Sequence, residues 1–361
     1  MTTTLLIIAI IPIALWLATR FVLDGERLDQ YDTPQPELTG QRTEPSDAHH
    51  GVVAMFRAGT ATAPRRSRKA MLTYLRGQMD AMGDDVVFEG EFRAVDAGGV
   101  AAEWVLAPGA DNARRLLYIH GGAFTMGSPR SHRAITTEYA RRLRVAVLAI
   151  DYRLMPEHSR NAGIADCQTA YRWLLENGPE GASPPTCLIV SGDSAGGNLT
   201  LMLTAWARNS GLRAADAAVA LSPATDSTFS SPTLKANLET DVMLGPMFGN
   251  ALARLPRWVM LWASLAGNRM RPSNPLVSPA MGDLSRLPPT LIHISSAEML
   301  AGDGVRYRNK AVSQGSQVEI GTWPFMLHVW HAFVLHLPEA REAFDHIEAF
   351  LRRNVPTLAS A

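Results

Sequence analysis

The chain has 361 residues, of which 47% are hydrophobic and 19% are charged; this composition excludes an intrinsically disordered chain and supports a sizeable buried core. Its 34 Lys and Arg residues equal its 34 Asp and Glu residues. Because the chain has no net positive charge to attract a polyanion over long range, the composition argues against nucleic acid as a partner. The two cysteines, Cys167 and Cys187, are too few for a disulfide framework, and their surroundings lack the spacing of a metal site.

The first 23 residues are predicted to form an apolar N-terminal segment. From Leu5 to Ala18 the sequence has no charged side chain, and Arg20 is the first basic residue. Continued to Leu23 as a helix, this stretch approaches the hydrocarbon thickness of a bilayer, about 30 Å. A membrane anchor or interfacial helix is favoured, with a cleaved signal peptide or a soluble docking helix as alternatives. We therefore expect the protein to associate with a membrane through residues 5–23. A cytoplasmic or a secreted location is the alternative.

Residues 24–84 are predicted to form a linker followed by N-terminal cap helices. Residues 24–48 contain Asp, Glu, Pro, Gly and Thr in close succession, which is typical of a linker or surface loop. Residues 52–82 place apolar side chains at helical spacing, and this pattern indicates one or two helices lying over the main domain.

Residues 85–355 are predicted to form an α/β domain. Strand-rich sequence begins at Val86, and short apolar runs then alternate with helical patterns. The apolar runs are 116–119, 145–150, 187–190, 219–221 and 290–294, and the helical patterns are 134–143, 162–176 and 339–353. This alternation indicates βαβ units and a mostly parallel sheet. An insertion at about 226–274 interrupts it with large flexible and aromatic side chains, which suit either a cap and pocket wall or a helix packed on the core.

A G-x-S-x-G motif surrounds Ser194, as Gly192-Asp-Ser-Ala-Gly196, between an apolar strand and a helical pattern. A sharp strand-to-helix turn needs glycines on both sides of the serine, because a β-carbon would collide with the neighbouring backbone. Such a turn raises the hydroxyl above the sheet. Ser194 is therefore the candidate nucleophile.

A second motif, His120-Gly121-Gly122-Ala123, directly follows the run at 116–119. Its adjacent glycines allow the backbone to approach a ligand closely and to aim N–H groups inward. Together with the N–H of Ala195, those of Gly121 and Gly122 are predicted to form an oxyanion hole. His120 is interpreted as a residue that shapes the loop.

A serine nucleophile needs a base and an orienting acid. His328 follows Pro324 at a predicted loop-to-helix transition and is the favoured base, with His331 as an alternative. The acid is expected beyond the run at 290–294, where Glu298 and Asp303 are the candidates.

These motifs, with Asp151-Tyr-Arg-Leu-Met-Pro-Glu-His158 between them, resemble those of the hormone-sensitive-lipase family of α/β-hydrolases. The resemblance covers roughly residues 85–352. It implies an α/β-hydrolase fold with an eight-stranded, mostly parallel sheet and a helical cap. The family's usual acid is an aspartate, and Glu298 stands at that position here, with Asp303 as the alternative. Asp151, Arg153 and Glu157 match a segment interpreted as structural.

The resemblance also implies a serine hydrolase that needs no cofactor or metal. The expected substrates are small apolar acyl esters of short to medium chain length, cleaved through an acyl-enzyme. An amidase or deacetylase acting on N-acyl groups is the main alternative. A non-catalytic ligand receptor on the same fold is a further one, although the presence of His328 disfavours it.

Overall fold

The computed structural model describes residues 15–40, 42–62, 67–84 and 86–359. Its strands are β1 (Glu91–Asp96), β2 (Ala101–Leu106), β3 (Asp111–Ile119), β4 (Val145–Ile150), β5 (Asn177–Gly178), β6 (Gly181–Ala182), β7 (Cys187–Asp193), β8 (Ala217–Leu221), β9 (Thr290–Ser295) and β10 (Val318–Trp323). The predicted first strand begins at Glu91 rather than at Val86, because its partner Leu106 is the last residue of β2.

Eight strands form one sheet in the order β1-β2-β4-β3-β7-β8-β9-β10, and β5 pairs with β6 separately. β2 runs antiparallel to both β1 and β4. The other neighbours, from β4 to β10, are parallel. The predicted α/β-hydrolase fold, with a mostly parallel eight-stranded sheet, is confirmed.

The helices are α1 (Asp47–Thr62), α2 (Arg68–Ala81), α3 (Arg133–Leu143), α4 (Arg160–Leu174), α5 (Ala195–Asn209), α6 (Thr233–Ala236), α7 (Leu244–Arg254), α8 (Arg257–Asn268), α9 (Ala301–Ser313), α10 (Pro338–Asn354) and α11 (Pro356–Ala359). Short 3₁₀ turns lie at Asp29–Tyr31, Arg130–His132, Pro279–Met281 and Trp330–Phe333, and a π turn at Thr19–Leu23.

The central strands of the sheet are buried on both faces. Successive side chains of a strand point to opposite faces, so Leu116 and Tyr118 of β3 enter one apolar cluster while Leu117 and Ile119 enter another. Helices cover both faces, and the central strands can therefore be continuous apolar runs. This is why β4 and β7 read as unbroken hydrophobic stretches rather than as alternating patterns.

Residues 26–34 lie against α9. Glu26 pairs with Lys310 at 2.5 Å, and Asp32 pairs with Arg306 at 2.6 Å. The amide nitrogen of Asn309 donates to the Tyr31 carbonyl oxygen at 2.9 Å. Buried Arg and Lys side chains that lie more than 270 positions later in the sequence therefore hold the segment that was interpreted as a linker or surface loop. No local sequence pattern reveals this contact.

Most of the predicted apolar N-terminal segment, residues 1–14, lies outside the described residues. Within the described ranges, no helix combines the length and the apolar character needed to cross a bilayer.

Candidate active site

Ser194 lies on the tight turn between β7 and α5. Its backbone has φ 51° and ψ −113°, a conformation that a non-glycine residue rarely adopts. A β-carbon at Gly192 would overlap the Ile119 carbonyl oxygen and Gly196, and one at Gly196 would overlap the Ile119 and His120 backbone. The crossing of β3 and the turn therefore leaves room only for glycine on both sides of Ser194.

His328 lies in the turn that follows β10, directly before the 3₁₀ turn Trp330–Phe333. Its Nε2 is 2.9 Å from the Ser194 Oγ. The backbone N–H of Val329 donates to the Ser222 hydroxyl at 3.2 Å, which fixes this turn against the end of β8. The structure therefore brings the predicted base to the predicted nucleophile across 134 positions of sequence.

Glu298 lies on the turn after β9 and is fully buried. Its Oε2 is 2.7 Å from Nδ1 of His328, and its Oε1 accepts a hydrogen bond from the backbone N–H of Ser295 at 2.9 Å. Burial alone lowers the pKa of His328, but the hydrogen bond to Glu298 and its negative charge outweigh burial, so that the pKa is raised above its usual value. The carboxylate thus stabilises the imidazolium that proton transfer would create.

The alternative residues lie elsewhere. The Oδ2 of Asp303 accepts hydrogen bonds from the backbone N–H groups of Thr225 and Asp226, each at 3.0 Å, and does not bond His328. His331 is fully buried, and its Nε2 lies 3.0 Å from Nδ1 of His293 rather than on Ser194.

One of the predicted oxyanion donors, the N–H of Gly121 in the loop after β3, is already occupied by another residue. The N–H of Gly121 donates to the Asp193 carboxylate at 3.0 Å, so it is not available to a ligand. The N–H groups of Gly122, Ala123 and Ala195 have no acceptor within the described ranges. Ala123 also lines the cavity over Ser194 and has φ 53°. Ala123 was not among the predicted donors, and its only signal in the sequence is its place directly after the two glycines.

Asp193, the first of the two variable residues of the serine motif, holds this loop in place. Its Oδ1 accepts from the Tyr118 hydroxyl at 2.6 Å as well as from Gly121, and its Oδ2 is 3.3 Å from Nε2 of His132. Burial alone raises the pKa of Asp193, but His132 and Tyr118 outweigh burial and lower that pKa to about 2. A buried carboxylate therefore ties the serine turn to the loop after β3, a role that the motif alone does not indicate.

His120 is neutral and structural, in line with its interpretation as a loop-shaping residue. Its ring stacks on Tyr152 at 4.4 Å between ring centroids, and its Nδ1 lies 2.8 Å from the Gly121 carbonyl oxygen. Burial and the nearby His132 lower the pKa of His120 to about 3.

A cavity of about 420 Å³ opens over Ser194, within the usual range for small-molecule sites. Its wall is mostly apolar and comes largely from the segment 226–268, including Phe229, Leu234, Leu244, Phe248, Leu252 and Met260. An apolar substituent bonded to a carbonyl carbon near Ser194 would be desolvated there.

Comparison with known proteins gives concordant results. The sequence signature of the alpha/beta hydrolase fold matches residues 116–332. An acetyl-hydrolase of Streptomyces hygroscopicus is 37% identical over 289 residues, which cover 80% of this chain and 89% of that protein. The crystal structure of an esterase from the bacterial hormone-sensitive lipase family is 31% identical, with a TM-score of 0.75, covering 87% of this chain and 100% of that one. The structure of EstE5 soaked by p-nitrophenyl butyrate is 33% identical with a TM-score of 0.74, covering 86% and 99%.

The sheet topology, and the chain order of serine, carboxylate and histidine at its carboxyl edge, define an α/β-hydrolase. Within that class, the chain belongs to the hormone-sensitive-lipase family. It is a hydrolase of the carboxylesterase and lipase-like kind.

Proposed function

We propose that the protein hydrolyses carboxylic esters of short- to medium-chain acids through an acyl-enzyme on Ser194. The observation that carries the proposal is the hydrogen-bonded series from the Ser194 hydroxyl through His328 to Glu298, at 2.9 and 2.7 Å, beside an apolar cavity. A histidine base whose ring orientation is held by a buried carboxylate is what activation of a serine requires.

In the first step, the Ser194 Oγ attacks the ester carbonyl carbon while Nε2 of His328 takes the hydroxyl proton. The carbonyl oxygen becomes an oxyanion, which the free N–H groups of Gly122, Ala123 and Ala195 stabilise. Collapse of the tetrahedral intermediate breaks the bond to the alkoxy oxygen, and His328 returns its proton to the leaving alcohol. The product of this step is an ester of Ser194.

In the second step, water takes the place of the alcohol. His328 accepts a proton from water as it attacks the acyl carbon, and the same N–H groups receive the second oxyanion. His328 then protonates Ser194 Oγ, and the carboxylic acid leaves. The apolar wall, with Phe229, Leu234 and Leu252, supports an acyl or alcohol group of limited length.

The proposed function predicts a chain-length optimum. Measured kcat/KM for p-nitrophenyl esters from acetate to palmitate should rise or hold through short and medium acyl chains. It should then fall for the longest chains, because a cavity of about 420 Å³ cannot enclose them.

A fluorophosphonate should label Ser194 and abolish turnover. Absence of labelling would favour the ligand-receptor alternative, and faster cleavage of p-nitroacetanilide than of p-nitrophenyl acetate would favour the amidase alternative.

We also propose that the segments around the sheet divide as the sequence suggests, with a cap made by α1, α2 and the insertion at about 226–274 over a hydrolase domain at 85–355. The contribution of α6, α7 and α8 to the cavity wall supports this division. Arg76 of α2 pairs with Glu157 at 2.8 Å, which supports a docked position for that helix.

We further propose that residues 5–23 contact a lipid surface. The uncharged run in the sequence supports this, as do Trp16 and Phe21, which are 62% and 73% exposed. In a flotation assay with phosphatidylcholine vesicles, the full chain should bind. The double variant Trp16→Ser, Phe21→Ser should bind more weakly by a factor of about ten or more, because its two apolar side chains no longer enter the membrane interface. Val87→Ser, at a residue 93% exposed elsewhere, is the matched control. Equal binding by all three chains would contradict the proposal.

A further inference from the structure

The helices α7 and α8 expose large apolar side chains beside the cavity over Ser194. Four such side chains are between 39% and 57% exposed, and we call them the cap strip: Met247, Phe248, Leu255 and Trp258. Phe248 and Leu255 also line the cavity, so the cap strip reaches the cavity mouth. Single exposed apolar side chains are ordinary, but a group of them at the opening of a binding cavity is typical of an interaction surface.

The cap strip is continuous with residues 15–23, which belong to the segment proposed to contact lipid. The Nε1–H of Trp262 on α8 donates to the Thr19 hydroxyl at 3.0 Å, so this segment lies against α8. Trp258 precedes Trp262 by four positions on the same helix and therefore lies on the same face. A flat surface that contacts residues 15–23 thus also meets the cap strip.

The same part of the chain is basic, although the whole chain has no net charge. Residues 242–282 contain four arginines and no aspartate or glutamate. Arg257 is neutralised by its ion pair with Asp24. The other three are exposed and form no ion pair within the part of the chain that the structure describes: Arg254, Arg269 and Arg271. Positive charges next to exposed aromatic and aliphatic side chains complement a surface that is apolar inside and anionic at its headgroups.

We propose that the cap strip and its arginines dock on an anionic lipid bilayer, with the cavity mouth toward the lipid, and that the protein hydrolyses esters dissolved in that bilayer. The inference rests on the proposed ester hydrolysis and on the proposed lipid contact of residues 5–23, and it specifies where the substrate comes from. An acyl ester that passes from the bilayer into the apolar cavity stays in apolar surroundings, so it does not have to be transferred through water.

The binding test uses the double variant Arg254→Glu, Trp258→Ser, because neither side chain lines the cavity. Its matched control is Arg141→Glu, Val312→Ser. Both control residues are exposed near the carboxyl ends of α3 and α9, at the amino edge of the sheet and therefore on the side away from Ser194.

Flotation is measured with phosphatidylcholine vesicles that contain about 30% phosphatidylglycerol, on which each basic side chain contributes about fivefold to binding. The variant Arg254→Glu, Trp258→Ser should bind more weakly than the unmodified protein by a factor of about ten or more, since a cation becomes an anion and an aromatic ring is lost. The control variant should bind like the unmodified protein. The unmodified protein should also bind these vesicles more tightly than pure phosphatidylcholine vesicles.

The turnover test separates docking from chemistry. Without vesicles, both variants should hydrolyse p-nitrophenyl butyrate with the kcat/KM of the unmodified protein. With p-nitrophenyl octanoate held in the anionic vesicles, at a lipid concentration that binds about half of the unmodified chain, the rate of Arg254→Glu, Trp258→Ser should fall about fivefold, in proportion to the bound fraction. The control variant should keep the full rate.

Three results would overturn the inference. The first is equal binding of anionic vesicles by the variant and the control. The second is an equal fall in the rates for butyrate in solution and for octanoate in vesicles, because the variant would then act on the cavity itself. The third is a dimer in sedimentation velocity that Arg254→Glu, Trp258→Ser dissociates while vesicle binding is unchanged, because a second copy of the chain would then cover the cap strip.

Failure of the inference is distinguishable from failure of the proposals on which it rests. If p-nitrophenyl butyrate is hydrolysed and a fluorophosphonate labels Ser194, the proposed ester hydrolysis stands whatever the vesicles show. If Trp16→Ser, Phe21→Ser loses vesicle binding and Arg254→Glu, Trp258→Ser does not, the lipid contact of residues 5–23 stands and docking of the cap strip fails.

Discussion

Ser194→Ala is expected to lower kcat for p-nitrophenyl butyrate by about 10⁴- to 10⁶-fold, the usual cost of removing a serine nucleophile. The alanine has no oxygen to form the acyl-enzyme, and His328 then has no hydroxyl to deprotonate. The N–H groups of Gly122, Ala123 and Ala195 remain, so a residual rate above that in water is expected from oxyanion stabilisation and substrate binding.

The change removes one hydroxyl and leaves the turn intact, so thermal unfolding of Ser194→Ala should resemble that of the unmodified protein. Ser210→Ala, at an exposed position after α5, is the matched control and should show normal turnover. Folded Ser194→Ala that retained more than about a tenth of the unmodified kcat would exclude the serine mechanism, because no acyl-enzyme could carry that rate.

Glu298→Gln is expected to lower kcat by about 10⁴-fold, as when the triad carboxylate is made an amide elsewhere. A glutamine can donate to Nδ1 of His328 and so favour the tautomer that cannot accept the serine proton. It also lacks the charge that stabilises the imidazolium. Stopped assays across a pH series would measure both the fall in kcat and the acidic limb of kcat/KM.

The direction of the pH shift follows from the contacts of His328. In the unmodified protein the hydrogen bond and charge of Glu298 raise the pKa of His328, so activity is lost as pH falls through that raised value. Removing them should move the acidic limb to lower pH. Asp303→Asn should lower kcat far less than Glu298→Gln, and the reverse order would identify Asp303 as the acid.

Several features of the fold and candidate site could be predicted because they depend on neighbouring residues. The strands of the sheet are apolar runs separated by helical patterns, and burial on both faces makes such runs continuous. The turn at Ser194 needs Gly192 and Gly196 for steric reasons that a five-residue motif expresses. The base must likewise lie in the segment that follows the last strand, β10, and this requirement leaves only a few candidate histidines, of which His328 is the first.

Other features depend on residues far apart in sequence. The choice between Glu298 and Asp303 was open from the sequence, since both follow β9 within a few positions. Their hydrogen-bond partners differ. The carboxylate of Glu298 bonds to the Ser295 N–H and to His328, whereas that of Asp303 accepts from the backbone N–H groups of Thr225 and Asp226. Similarly, Gly121 was wrongly predicted as a free donor, because the Asp193 carboxylate that occupies its N–H lies 72 positions away.

By itself, then, the sequence determined the class of fold and the turn that presents Ser194, because periodic burial and backbone sterics act within a few residues of one another. Only the tertiary structure decided which carboxylate reaches His328 and which N–H groups stay free. Hydrogen bonds form between whichever donors and acceptors the packed strands bring within about 3 Å, and that proximity is a property of the assembled sheet rather than of any segment.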